Sequence, residues 1–278
     1  MKEIVMADRA GFCFGVKRAV DEIVAALTDE DEVWSIGMPI HNPQEVARLE
    51  TMGLRVGKDV DEIPDGAKVL IRTHGESRSV IKDLLDRGAK VIDVTCPFVR
   101  RAQERANELS LQGYHVVLLG DVRHPEIRSI MGNVDGSFDV VASVAETEGL
   151  PRRSRVALIS QTTQQEELLA DVSSALVPRA EELYVCNTIC RATVERQDAV
   201  RRLAGKVDGV VVIGGKESAN TAKLRDIARE NGMDVLGVEN VEEVDGRWLE
   251  GKIRVGIAAG ASTPQWLITE VCNKIARM

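Results

Sequence analysis

Seven short apolar runs, each the length of one β-strand, punctuate the chain: KEIVMAD, AKVLIRTHG, KVIDVTCP, HVVLLGD, RVALISQTT, GVVVIGGKES and KIRVGIAAGAS. Between them lie amphipathic stretches of helical period. After Gly15, for example, Val16, Ala19, Val20, Ile23, Val24 and Leu27 share one face, and Lys17, Arg18, Asp21 and Glu22 share the other. Such alternation builds βα units, and unbroken apolar strands suit a parallel sheet covered on both faces. The expected class is therefore α/β. Aromatic residues are few (Trp 3, Tyr 2, Phe 4), so the core must be built from Val, Ile, Leu and Ala.

A length of 278 residues allows two domains or three small ones. Three cysteines divide the chain into near-equal thirds: Cys13 to Cys96 spans 83 residues, Cys96 to Cys190 spans 94, and 88 follow Cys190. This predicts three similar modules, at 13–95, 96–185 and 186–278, with the strand in 1–12 joining the third. The formal charge of −8, with no long basic run, argues against a nucleic-acid partner. No window offers the roughly 18 consecutive apolar residues of a membrane span. Glu3, Asp8 and Arg9 interrupt the region where a secretion signal would be apolar, so the cytoplasm is the expected compartment. The cysteines, five in number and scattered, do not form a disulfide framework and are expected to be reduced and free to bind metal.

Nearly every unusual polar residue falls where a strand gives way to a helix. His41 and Asn42 follow EVWSIGMPI, His74 ends VLIRTHG, Cys96 ends VIDVTC, and His124 and Glu126 follow VVLLGDVR. Thr162 and Thr163 end VALISQTT, Ser218 and Asn220 follow VVVIGGKE, and Ser262 ends VGIAAGAS. Pro43, Pro97, Pro125 and Pro264 mark the same joints, as proline does in a first helical turn. Ligands of open α/β sheets bind beyond the carboxyl ends of the strands, so the chemistry of this chain is expected there.

Each motif has a plain structural reading beside the functional one. Cys272, within WLITEVCNKIARM, reads as a small buried hydrophobe, and His115, opening an apolar strand, as a structural histidine. Thr163-Gln164-Gln165-Glu166 reads as a capping box, and Ser262-Thr263-Pro264 as an N-cap followed by proline. Helix N-termini also attract phosphate, so the two readings are compatible. Cys13 and Cys96 lie at turns, where thiolates can ligate metal. Cys186 and Cys190 are too close for spacing to choose between them, and the spacing is not that of a zinc knuckle or a redox CxxC pair. Three separated thiolates suit an iron–sulfur cluster with one iron open. The Walker and dinucleotide glycine patterns are absent from GGKES and GFCFGV, which disfavours a standard nucleotide cofactor.

Taken together, GFCFGVKRAV, IHNPQEV, RTHG, DVTCPFV, HPE, QTT, NTICRAT, GGKESANT and GASTP, in that order from residue 11 to residue 264, resemble the 4-hydroxy-3-methylbut-2-enyl diphosphate reductases. The resemblance implies a trefoil of three α/β modules around a central [4Fe-4S] cluster. It matches Cys13, Cys96 and Cys190 to the cluster ligands, one cluster per chain, and gives Cys186 no role. His41, His74, Ser218, Asn220 and Ser262 match the diphosphate-binding residues, with His124 near the reacting end of the substrate. Glu126 matches the acid that delivers protons, and Thr162 the hydroxyl that links it to substrate. The implied reaction is the last step of the non-mevalonate isoprenoid pathway. It takes two electrons and two protons, removes water from the allylic alcohol, and yields isopentenyl and dimethylallyl diphosphates. The implied partner is a one-electron donor protein such as ferredoxin or flavodoxin. Two positions depart from the pattern: Ala219 stands where many members carry serine, and Ser129 where a glycine is often seen after HPE.

Overall fold

The computed structural model describes residues 2–29 and 32–278. In chain order the strands are β1 (Glu3–Met6), β2 (Val33–Ile36), β3 (Leu54–Gly57), β4 (Lys68–Ile71), β5 (Lys90–Asp93), β6 (His115–Leu119), β7 (Phe138–Val141), β8 (Arg153–Ser160), β9 (Ala180–Cys186), β10 (Gly209–Ile213), β11 (Val235–Val238) and β12 (Arg254–Ala259). The helices are α1 (Phe14–Asp29), α2 (Pro43–Glu50), α3 (Arg78–Asp86), α4 (Pro97–Leu111), α5 (Pro125–Met131), α6 (Glu166–Leu176), α7 (Arg191–Arg201), α8 (Ala219–Glu230), α9 (Gly246–Leu249) and α10 (Gln265–Arg277).

The strands form three four-stranded sheets, ordered β1-β12-β10-β11, β3-β2-β4-β5 and β7-β6-β8-β9, and every pairing is parallel. The α/β expectation holds. The described residues form two compact units: one comprises those of 2–20, Ile40–Met52 and Arg191–Met278, the other those of 21–39 and Gly53–Cys190. The first contains the β1-β12-β10-β11 sheet and the second contains the other two.

Unbroken apolar runs are central strands because both of their faces are covered. In β6, Val116 and Leu118 enter one core cluster with Ala102 and Ala106 of α4 and Ile127 and Ile130 of α5. Val117 and Leu119 enter the opposite cluster with Leu169, Val172 and Leu176 of α6. The same division places Val211 and Ile213 of β10 with α10, and Val210 and Val212 with α7 and α8. Each fully buried Val, Ile or Leu contributes about 1.5–3 kcal/mol of transfer free energy. Two of the seven runs behave differently: β1 and β5 lie at sheet edges and are only partly buried. Of the five strands outside those runs, β3, β7, β9 and β11 are also edges, and β2 is central. In β9 no residue is buried: Ala180, Leu183 and Cys186 are partly buried and the other four are exposed, so its sequence, AEELYVC, hides the strand.

Pro43, Pro97 and Pro125 occupy the first positions of α2, α4 and α5. Pro264 instead precedes α10 as its N-cap, and the expected Ser262–Thr263 cap does not form. The hydroxyl of Thr263 donates to the Ile213 carbonyl at 3.0 Å. The capping box at Thr163 is likewise absent. Gln165 is the N-cap of α6 without a side-chain bond, and Thr163 accepts from Gln161 Nε2 at 2.9 Å. Among the described residues, no helix is long and apolar enough to cross a membrane.

Candidate active site

Each candidate residue lies beyond the carboxyl end of a strand: Cys13 after β1, His41 after β2, His74 after β4, Cys96 after β5, His124 and Glu126 after β6, Thr162 after β8, Cys190 after β9, Ser218 and Asn220 after β10, and Ser262 after β12. Their placement follows the rule for open parallel sheets.

The first unit holds Cys13, His41, Ser218, Asn220 and Ser262. Cys13 directly precedes α1. Its backbone N–H donates to the Ala261 carbonyl at 2.9 Å, and its sulfur receives the Val16 N–H at 3.4 Å. His41 lies between buried Ile40 and buried Asn42, and Asn42 caps α2 by accepting the Glu45 N–H at 2.9 Å. Ser262 donates its hydroxyl to the His41 carbonyl at 2.9 Å. Gly215 fits beneath that carbonyl because it has no side chain: a Cβ there would lie 2.5 Å from the His41 oxygen. Ser218 is the N-cap of α8 and accepts the Thr221 N–H at 3.2 Å. Next to it, Asn220 is only 5% exposed, yet neither its amide oxygen nor its amide nitrogen has a hydrogen-bond partner among the described residues. Leaving such groups unpaired costs roughly 1–3 kcal/mol, which points to a polar ligand as the missing partner. Ala219 opens α8 and offers no hydroxyl to such a ligand.

The second unit holds His74, Cys96, His124, Glu126, Thr162 and Cys190. Glu126 is 1% exposed, and both of its carboxylate oxygens are held by Thr162: the backbone N–H donates to Oε1 at 2.6 Å and the hydroxyl to Oε2 at 2.8 Å. Burial disfavours the charged form more than these two bonds favour it, and the carboxyl is pushed up to about 7. His124 is the N-cap of α5, and its Nδ1 accepts the Glu126 N–H at 3.2 Å, which places the ring proton on Nε2. The His74 ring meets it edge-on, with centroids 5.4 Å apart.

Backbone bonds link these residues to the thiols of the same unit. Cys190 N–H donates to the Thr162 carbonyl at 2.9 Å, and Cys96 N–H to the Thr73 carbonyl at 3.0 Å. Cys96 and Cys190 directly precede α4 and α7, as Cys13 precedes α1. First-turn amides favour negative sulfur. Three partly buried thiols so placed, none in a disulfide, are a donor set that fits an iron–sulfur group.

Cys186 and Cys272 lie elsewhere. Cys186 ends β9 and packs against the cluster of Tyr114, Val116 and Ile159, whereas Cys272 packs within α10, where burial pushes its thiol up. His115 opens β6, and its ring nitrogens lie 2.8 Å from Ser137 Oγ and 2.7 Å from Asp139 Oδ2, as a structural histidine should. Ser129 is buried within an intact α5, and its hydroxyl pairs with the Gln103 amide of α4. That pair packs under Gly75, whose φ of +73° forms the turn after His74. Sequence reasoning missed the supports of the site. Thr188, for example, accepts the Ser160 N–H at 3.1 Å and holds the approach to Cys190 against β8. The Asn187–Thr188 pair just before the cysteine was the available signal, because Asn187 accepts the Ile189 N–H at 3.0 Å in a local turn.

Comparison with known proteins covers nearly the whole chain. Residues 4–276 match the family model described as LytB protein. A 4-hydroxy-3-methylbut-2-enyl diphosphate reductase of Geobacter sulfurreducens is 45% identical over 273 residues, which are 98% of this chain and 96% of that protein. One from Nitratiruptor sp. is 41% identical over 277 residues, 99% of each. Among solved structures, (E)-4-hydroxy-3-methyl-but-2-enyl diphosphate reductase, the terminal enzyme of the non-mevalonate pathway, is 40% identical with a TM-score of 0.73 and full coverage of both chains. The Plasmodium falciparum E-1-hydroxy-2-methyl-but-2-enyl-4-diphosphate reductase, 23% identical, shares the fold with a TM-score of 0.92 over 98% of this chain and 87% of its own.

Proposed function

The chain belongs to the LytB protein family, and from that premise we infer how its residues carry the reaction. It is an oxidoreductase of the non-mevalonate pathway and reduces 4-hydroxy-3-methylbut-2-enyl diphosphate to isopentenyl and dimethylallyl diphosphates. The family is one of iron–sulfur enzymes. In our reading Cys13, Cys96 and Cys190 hold one [4Fe-4S] cluster. The support is that each is a partly buried thiol, outside any disulfide, directly before a helix. When bound, the cluster supplies single electrons and a Lewis-acidic iron.

The observation that carries the proton chemistry is the buried pair of Glu126 and Thr162. Loss of water from the allylic alcohol consumes two electrons and two protons: one proton completes the departing water and the other ends on carbon. A carboxyl held near 7 is partly protonated at neutral pH, which suits a general acid. Thr162 Oγ lies 2.8 Å from Glu126 Oε2 and is the hydroxyl through which the proton reaches substrate. Once Glu126 is protonated it can donate to that oxygen, which frees the Thr162 proton to point at the substrate hydroxyl.

His41, His74, Ser218, Asn220 and Ser262 bind the diphosphate, and His124 adds its Nε2–H near the reacting end. The unpaired amide of buried Asn220 and the N-terminus of α8 support the anion site. Residues 13–95, 96–185 and 186–278, with 1–12 joined to the last, act as three modules that each bring one thiol. The division of strands among three sheets supports three modules, and the pairing of β1 with β12 supports joining the N-terminal strand to the third. A one-electron donor protein such as ferredoxin or flavodoxin feeds the reaction. We assign it to the cytoplasm, in keeping with an odd number of scattered cysteines. The test is anaerobic turnover of the diphosphate substrate with reduced viologen dye, beside iron and sulfide analysis. Two five-carbon diphosphate products are expected, and their absence from iron-replete protein would defeat the reading.

A further inference from the structure

We infer that Glu45 and Trp266 are positioning residues: their hydrogen bond keeps the His41 turn in register with the Ser262 loop when the diphosphate is bound. The inference rests on the reading of His41 and Ser262 as diphosphate ligands.

Glu45 lies in the first turn of α2, where a carboxylate would ordinarily face water, yet it is only 2% exposed. A buried carboxylate must be satisfied. Arg48 satisfies it from its own helix, with Nη2 at 2.7 Å from Oε1 and Nε at 3.1 Å from both oxygens. The remaining donor is Trp266 Nε1, 2.9 Å from Oε2. Trp266 is the second residue of α10 and follows Ser262 by four positions, and Glu45 follows His41 by four. The indole bond therefore spans the same joint as the bond from Ser262 Oγ to the His41 carbonyl.

The two ties are not equivalent once a ligand arrives. A serine hydroxyl has one proton to donate. If Ser262 turns it towards a diphosphate oxygen, the His41 carbonyl loses that donor and the loop loses this tie to α2. The Glu45–Trp266 bond involves no ligand-facing group, so it persists. It then becomes the side-chain tie that fixes His41 relative to the α10 loop, while Asn42 and Pro43 transmit the position of α2 to the histidine. Trp266 is 38% exposed, so the indole is not retained simply as core packing.

The test uses the anaerobically purified holoenzyme. Trp266→Phe keeps a ring and removes the donor, and Glu45→Ala removes the acceptor. Calorimetry with inorganic diphosphate should show affinity weakened about three- to tenfold in each variant, the worth of one hydrogen bond. The substrate KM should rise in parallel while kcat with viologen dye stays within about twofold. The double variant should lose no more than Glu45→Ala alone, because that change already deletes the bond to Trp266 along with those to Arg48. A purely structural role would lower the melting temperature and leave diphosphate affinity and KM of the folded protein unchanged, and that result overturns the proposal, as would additive losses in the double variant. His41→Ala serves as the reference. If it leaves diphosphate affinity intact, the diphosphate reading falls and this proposal with it. If it weakens binding and Trp266→Phe does not, the positioning role alone is wrong.

Discussion

Thr162 donates twice to Glu126, through its backbone N–H at 2.6 Å and its hydroxyl at 2.8 Å, so a single residue supplies both carboxylate oxygens of a side chain that is 1% exposed. Both bonds stabilise the ionised carboxylate, yet burial outweighs them and holds the group at about 7. The balance between one threonine and the surrounding desolvation thus sets the proton supply.

Activity should fall as pH rises through about 7, since the acid form is lost there. Folding stability should follow the same sign. A carboxyl whose folded value is raised above its ordinary 4.5 adds stability below that value, and this is lost as pH rises towards about 7. Melting curves of the parent and Glu126→Gln proteins between pH 5 and 8 check this. The parent should lose more stability over that range than the variant, and parallel curves would contradict the assignment.

Thr162→Val removes the hydroxyl donor to Oε2 and keeps the backbone donor. With less to favour the ionised form, the acid should titrate higher, so the falling limb of the pH–activity profile should move upward even as the maximal rate drops. A lower rate with an unmoved limb would mean that the hydroxyl does not act through Glu126.

Serine in place of Cys13, Cys96 or Cys190 should each cost most of the bound iron, because an alcohol is a poor ligand for iron–sulfur clusters. Cys186→Ser and Cys272→Ser should retain it, since those thiols pack against core clusters and neither directly precedes a helix. Iron and sulfide analysis after anaerobic purification decides between them. Full retention in Cys190→Ser with loss in Cys186→Ser would reverse the choice between the two neighbours.

Asn220→Ala should weaken inorganic diphosphate by roughly 10- to 100-fold, the worth of hydrogen bonds to a charged group. Because the amide has no protein partner to lose, the fold should not suffer. Calorimetry together with a melting curve distinguishes this from general destabilisation.

The sequence announces central strands and joint residues because both leave local marks. Leu118 and Leu119 must each meet a different helix layer, which forces a continuous apolar run. Glycine, proline and polar residues such as His124 and Thr162 gather where strand becomes helix. Edge strands such as β9 bury too little to show. Partnerships across long separations are also silent: nothing near Glu45 foretells the indole 221 residues away. The hydroxyls of Thr163 and Ser262 showed the converse failure. Their local pattern suggested caps, but Gln161 and the His41 carbonyl supplied better partners.

Glu126 as the proton source is tested by Glu126→Gln. Glutamine retains the shape of the side chain and an acceptor for Thr162, but has no acidic proton. Turnover of the diphosphate substrate, driven by reduced viologen dye, should be measured beside bound iron in the same anaerobic preparation. With Glu126 as the acid, iron content should be unchanged and the rate lower by roughly two to four orders of magnitude, the range typical of general acid catalysis. Near-parental turnover at full iron content would contradict it.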